Sequence, residues 1–287
     1  MQNKTILITG ATGGIGKQTA MTLAKTGARV IVTGRSQING EAAVNEIQRH
    51  SSNHQVDLLL ADLSTQKGIR SLVGQFDQKY DQLDILINNA GLVESEWRLT
   101  EDGVEADFAV NVIAPFLLTH LLMEHLKASP SARVISLTGG EAKGKIDLDN
   151  LQAEHSFSGL NTYSHSKLVM MALMYEYSQR IQAENVTINV CYPGQASTNM
   201  TRSVTPQMLP GFMRLIWPLF KSMMRDDGGQ SAAKASRSSV YLATASEVEG
   251  LNGKYFDTNS KVTTWPRAVL DDAAREHIWK LAEQIVS

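Results

Sequence analysis

Thr5-Ile6-Leu7-Ile8-Thr9-Gly10-Ala11-Thr12-Gly13-Gly14-Ile15-Gly16 is the stretch on which the fold turns. Its first four residues form a short apolar run, as expected of a strand buried on both faces. Glycines follow at positions 10, 14 and 16, and a helical pattern then runs from about Ile15 to Lys25. Glycine permits the tight turn and lets the backbone approach a pyrophosphate, which then rests on the helix N-terminus. Glycine-rich turns are common; the strand before this one and the helix after it give it meaning. No Gly-Lys-Ser/Thr ending follows, which disfavours a P-loop.

Outward from this turn, the same alternation repeats. Gly27 ends the first helix, and strands are expected at 28–33, 56–60, 83–87, 133–137 and 186–191. Helices are expected near 41–50, 65–80, 101–127 and 161–184. Apolar strands separated by helices predict a parallel sheet covered on both sides, and right-handed crossovers make it doubly wound. The fold class is therefore α/β: a single-domain Rossmann sheet with helices on both faces. Beyond Pro193 come an apolar segment, a helix near 229–244, a short strand at Lys254-Tyr255-Phe256 and a C-terminal helix. The expected division is a core over 1–198, an apolar lid over 199–228, and a closing segment over 229–287.

Composition narrows the function classes. A chain of 287 residues with net charge −2 carries no basic surplus, so nucleic acid is a poor partner. Its single cysteine, Cys191, forms no internal disulfide, which fits a reducing compartment. His and Cys show no zinc-ligand spacing, and no metal is expected. The N-terminus lacks a signal-peptide layout, and no apolar run reaches the roughly 18 residues of a spanning helix. A cytoplasmic location is the expectation.

The spacing Gly-x-x-x-Gly-x-Gly resembles that of the short-chain dehydrogenase/reductase superfamily. Four further segments agree with it in order: Asp62-Leu63, Asn88-Asn89-Ala90-Gly91, Tyr163-Ser164-His165-Ser166-Lys167 and Pro193-Gly194. Within the superfamily the chain is most similar to the retinol-dehydrogenase-like branch, on Asn111-Val112, Phe116-Leu117-Leu118-Thr119, Asp149-Asn150-Leu151 and Gly253-Lys254-Tyr255-Phe256-Asp257. The resemblance implies an alcohol/carbonyl oxidoreductase using a nicotinamide cofactor. It implies cofactor contacts from Gly10, Thr12, Gly13, Gly14, Ile15 and Gly16. It adds Asp62 and Leu63 at the adenine, Asn89, Ala90 and Gly91 along the cleft, and Pro193, Gly194, Ala196 and Thr198 at the nicotinamide.

The second strand ends Thr33-Gly34-Arg35-Ser36. An NAD site places a carboxylate near here for the ribose hydroxyls. Gly34 fills that slot, and the Arg35 guanidinium can pair with a 2′-phosphate. With Ser36 beside it, this favours NADP(H) over NAD(H); the alternative is an ordinary solvated arginine.

Tyr163 and Lys167 lie four apart, on one helix face. Reduction of a carbonyl leaves an alkoxide that needs a proton, and a phenol can give it. A nearby ammonium lowers the phenol pKa from its reference near 10. Lys167 is also expected to hold the nicotinamide ribose. The resemblance adds Asn111 as the holder of a water that links the lysine to solvent. The alternative for Asn111 is a polar residue satisfied inside its own helix. The fourth group is a hydroxyl at the end of the fifth strand, and here the chain departs from the branch, which has two serines. Counting forward from Arg133, the slot is Gly139; counting back from Asp149, it is Thr138. Thr138 is taken, with Ser136 as the fallback one layer deeper.

Met200, Met208, Met213, Met223 and Met224 lie among Phe212, Leu215, Ile216, Trp217, Leu219 and Phe220. Methionine-rich surfaces adapt to varied apolar shapes, so the expected partner is a lipophilic retinoid, steroid or aldehyde. Core covering, a homodimer interface and a membrane-surface contact through 208–224, with Arg214, Lys221 and Arg225 at the lipid, are the alternatives. A non-catalytic NADPH-binding protein or sensor competes with the enzyme. A nucleotide-sugar epimerase of the extended family is disfavoured by the short length.

Overall fold

A computed structural model describes residues 1–139, 144–209 and 227–287, together with Trp217 and Lys221. Among these, one sheet runs in the order β3-β2-β1-β4-β5-β6-β7-β8. Its strands are β1 Thr5–Ile8, β2 Arg29–Gly34, β3 Val56–Leu60, β4 Ile85–Asn88, β5 Ala132–Leu137, β6 Val186–Cys191, β7 Tyr255–Phe256 and β8 Val262–Thr263. All pairs are parallel except β7 with β8. The two-residue antiparallel β8 went unseen in the sequence, because Val262-Thr263 is too short to carry a period.

Alternation along the strands decides the two cores. Leu7, Ile31, Leu86 and Val134 face one side, where they meet α3 (Gln66–Asp77), α5 (Ala114–Leu121), α7 (Gly159–Arg180) and α10 (Asp272–Val286). Ile6, Ile8, Val30, Val32, Ile87 and Ile135 face the other, toward α1 (Gly14–Ala24), α2 (Gln37–Ser51) and α9 (Gln230–Thr244). The order reverses between β1 and β4, so a crevice opens at the C-terminal ends of these strands.

The single helix expected over 101–127 is broken into pieces. A turn and a Leu99–Glu105 bridge occupy its start. Glu105 then caps α4 (Ala106–Phe108), accepting the N–H groups of Asp107 and Phe108 at 3.0 and 2.8 Å. A π-helical turn over Ala109–Ile113 follows before α5, and α6 (Met123–Lys127) comes after a break at Leu122. Pro115 offers no N–H to the Asn111 carbonyl, which disfavours the α register there. Ala114 N–H reaches back to Ala109 instead. Among the described residues no helix is long and apolar enough to cross a membrane.

Candidate active site

The glycine loop joins β1 to α1 at the rim of the crevice. Gly10 and Gly14 have φ of +63° and +54°, conformations that side-chain-bearing residues rarely adopt. A Cβ on Gly16 would stand 2.8 Å from the Gly10 carbonyl oxygen, so the helix can begin this close to the turn only with glycine. The α1 N-terminus carries no side-chain cap at Gly13, which leaves its N–H groups available to an anion. Thr198, just before α8 (Asn199–Arg202), lies over the loop: its methyl would meet a Cβ on Gly14 at 2.9 Å. The loop and the residues around it therefore fit a dinucleotide phosphate.

Not every expected cofactor residue points into open space. Asn89 spends its amide on the loop, donating to the Thr9 and Gly10 carbonyls at 2.8 and 3.2 Å. The Thr9 hydroxyl accepts the N–H of both Asn89 and Ala90 at 3.0 Å, so the β4 end and the glycine loop are stitched together. Ser36 caps α2, accepting the Asn39 N–H at 3.3 Å. Arg35 is exposed at the β2 end, and Gly34 beside it admits the Thr12 methyl to 2.4 Å of its missing Cβ. Burial raises the Asp62 carboxyl, but its bonds to Ser64 and the charges of Arg35 and Arg98 prevail and lower it. Leu63 is buried next to it. Gly194 has φ +85° in the turn after β6, and Pro193 and Ala196 are buried around it.

Tyr163 and Lys167 stand one turn apart on α7, both buried at the β5 end. Tyr163 opens α7, and a Cβ on Gly139 would lie 2.1 Å from its hydroxyl. Lys167, one turn on, is buried and donates to the Leu137 carbonyl at 3.2 Å. A Cβ on Gly91 would stand 3.4 Å from both the Lys167 amine and the Asn111 Oδ1. Asn111 is not satisfied within its own helix. It exchanges bonds with both backbone groups of Leu92 at 2.9 Å and donates to Ser166 Oγ at 2.9 Å. The side chain thus clamps the loop after β4 to α7.

At the β5 end, the two counts from the sequence point to Gly139 and to Thr138. Gly139, without a side chain, is the position against the phenol. Thr138 is buried, and its hydroxyl has no hydrogen-bond partner among the described residues. Ser136 lies deeper and accepts from Asn88 Nδ2 at 3.3 Å. Gly140 and residues 141–143 fall outside the described residues.

Electrostatics here differ from the expected lowering of the phenol. Burial pushes Tyr163 above its ordinary value, and the charge of Asp107 adds to this. Burial likewise brings the Lys167 amine down to about 8, against the opposing pull of Asp107. Asp107 and Glu105 were missed in the sequence. Two acids inside the apolar run Val104-Glu105-Ala106-Asp107-Phe108 were the available signal.

Around the Tyr163 ring, Val93, Val204 and Met208 are buried, with Leu160, Met200 and Trp217 packed against them. Of these, Met200, Val204, Met208 and Trp217 belong to the expected lid. Phe212, Met213, Arg214, Leu215, Ile216, Leu219, Phe220, Met223, Met224 and Arg225 lie outside the described residues.

Residues 4–209 match the short chain dehydrogenase family. Retinol dehydrogenase 14 of Homo sapiens is 34% identical over 302 residues, covering 100% of this chain and 87% of that protein. An uncharacterised protein of Mycobacterium paratuberculosis shares the fold with a TM-score of 0.76 and 25% identity, covering 99% of this chain and 94% of that one. The RhlG/NADP active-site complex of Pseudomonas aeruginosa has a TM-score of 0.63 at 26% identity, covering 90% and 95%. The chain belongs to the short-chain dehydrogenase/reductase family of oxidoreductases, in its retinol-dehydrogenase-like branch.

Proposed function

We propose that the chain is an NADP(H)-dependent oxidoreductase that interconverts an alcohol and a carbonyl on a lipophilic substrate. What carries this reading is the Tyr163 hydroxyl beside Gly139 at the β5 end, with the buried Lys167 amine one turn on. Both lie on the rim that holds the glycine loop. A nicotinamide, when bound, supplies or takes the hydride. Tyr163 gives its proton to the substrate oxygen in reduction and takes one back in oxidation. Its buried environment keeps the phenol protonated in the free chain, which suits the acid role. Lys167 in its ammonium form opposes that shift and binds the ribose hydroxyls. Thr138 donates a hydroxyl to the substrate oxygen; that this hydroxyl has no partner among the described residues supports this, while the Asn88 bond occupies Ser136.

Arg35 and the missing acid at Gly34 support NADP(H), as does the NADP complex of the Pseudomonas relative. The apolar surround of Tyr163 and the retinol dehydrogenase relatives support a lipophilic substrate. Gly139 favours one other reading, a cofactor-binding protein without chemistry, since no side chain stands at the position nearest the phenol.

NADPH consumption with lipophilic and aromatic aldehydes separates the two. Turnover is expected, and Tyr163→Phe should lower it by at least roughly 10²–10⁴-fold while NADPH still binds. NADPH binding without consumption on any aldehyde would establish the non-catalytic reading.

A further inference from the structure

One buried ionisable group beside Tyr163 and Lys167 has no part in the chemistry above. Asp107 is fully buried. Its Oδ1 accepts the Glu94 N–H at 3.0 Å, and its Oδ2 has no hydrogen-bond partner among the described residues. Glu105 is buried two residues earlier, but both its oxygens are engaged in capping α4. Those N–H groups favour its anion, but burial outweighs them and raises its pKa above the ordinary carboxylate value, and Asp107 in addition has a bare oxygen.

A buried carboxylate with a bare oxygen is costly unless a cation faces it. Lys167, from α7, is the cation whose charge acts on Asp107. The packing agrees: Asn111, one turn beyond Asp107, bonds to Ser166, the neighbour of Lys167. The other charged and titratable groups acting here are Glu105 and Glu94, both acidic, and Tyr163. Two acids this close in a dry site disfavour each other's ionisation, so burial first and Glu105 second push Asp107 up to about 8. Its proton is therefore exchanged in the range where Lys167 also titrates, and the two groups titrate as a coupled pair.

Resting on the reading of Tyr163 and Lys167 as the acid/base pair, we propose that Asp107 is a positioning residue that controls the charge of Lys167. When Asp107 is ionised its charge favours the ammonium from beyond ion-pair distance; when it is protonated, the ammonium loses that counter-charge. The plainer role, an acceptor for the Glu94 N–H, needs only a carbonyl oxygen, which asparagine also has. Asp107→Asn therefore removes the charge and keeps the bond.

The test compares the pH dependence of kcat/KM for carbonyl reduction in the wild type and Asp107→Asn, with Tyr163→Phe as control. Without the carboxylate, Lys167 and Tyr163 both shed their protons earlier, so the alkaline limb is expected to move down by about one pH unit. The Lys167 Cε titration of the same variant is expected to move down with it; a limb that moves while Lys167 Cε does not overturns the proposal. The readout is the position of that limb, which a merely structural role would leave in place. An unmoved limb, with Tyr163→Phe inactive, overturns the proposal and leaves the site reading standing. Full activity of Tyr163→Phe overturns the site reading and the proposal with it.

Should Asp107→Asn fail to fold, the cofactor-free wild type decides by carbon NMR. Lys167 Cε is assigned by its loss in Lys167→Met, and Asp107 Cγ is followed beside it. Two inflections shared by both resonances are expected. Separate single-step titrations overturn the proposal.

Discussion

The proposed choice of NADP(H) rests on one guanidinium, that of Arg35. It is exposed, and the charged group it acts on is Asp62. A 2′-phosphate would offer it a stronger, bidentate partner. Arg35→Ala is expected to raise the NADPH dissociation constant by roughly 10- to 150-fold, the equivalent of a charged contact of about 1.5–3 kcal/mol. NADH binding should change little. Titrations of both cofactors by fluorescence check this, and equal losses for the two would remove Arg35 from the phosphate site. The residue scale is also where sequence reading reached its limit. Thr138 and Gly139 are neighbours in a strand, and counting from either flank gave a different answer. The close approach of the Tyr163 hydroxyl to Gly139 arises from α7 packing across β5, which local spacing does not encode.

At the scale of elements, the start of β1 depends on one carboxylate before β4. Asp84 is buried and accepts from the Lys4 amine at 2.8 Å, Thr5 N–H at 2.8 Å, Ser129 Oγ at 2.7 Å and Gln82 Nε2 at 2.9 Å. Burial raises its pKa, but these donors outweigh burial and hold it below the ordinary carboxylate value. A depressed folded pKa stabilises above the unfolded value, near 3.9, and the stability is lost as pH falls through the folded one. Asp84→Ala is expected to cost on the order of 3 kcal/mol at neutral pH and to flatten the acid limb of stability. Urea unfolding from neutral to acid pH measures both. A variant with an unchanged acid limb would show that Asp84 does not anchor β1. The broken helix over 106–127 belongs here too. Its apolar pattern was legible as one helix, whereas Glu105 and Pro115 shift its start and its register.

At the scale of the molecule, α10 closes the sheet face behind the site. Trp279 meets Phe116 and Tyr177 edge-on at 5.1 and 5.4 Å, and Arg180 covers its ring at 4.5 Å. Glu176 links Arg180 and Arg275 at 2.7 and 2.8 Å, tying α7 to α10. Because α7 also carries Tyr163 and Lys167, this seam supports the site from behind. Trp279→Ala is expected to cost on the order of 3 kcal/mol, lowering the melting temperature by several degrees. Calorimetry checks it, and an unchanged melting temperature would show that the seam adds nothing.

The order of strands and helices, the glycine turn after β1 and the one-turn spacing of Tyr163 and Lys167 could be read from the chain alone. Each is local: an apolar run, a glycine spacing or a four-residue interval specifies it within one turn or one strand. The surroundings of those residues were not legible. Asn89 is expected along the cofactor cleft and Asn111 at a water beside the lysine; the bonds of their amides to the glycine loop, Leu92 and Ser166 are not encoded in the local spacing. Asp107 is one of two acids in an apolar run of the sequence, and packing against α7 buries it where the lysine charge acts on it. Burial and charge proximity depend on which elements meet across the sheet. The protonation of Tyr163 and Lys167 is therefore a property of the tertiary structure rather than of the motif that names them.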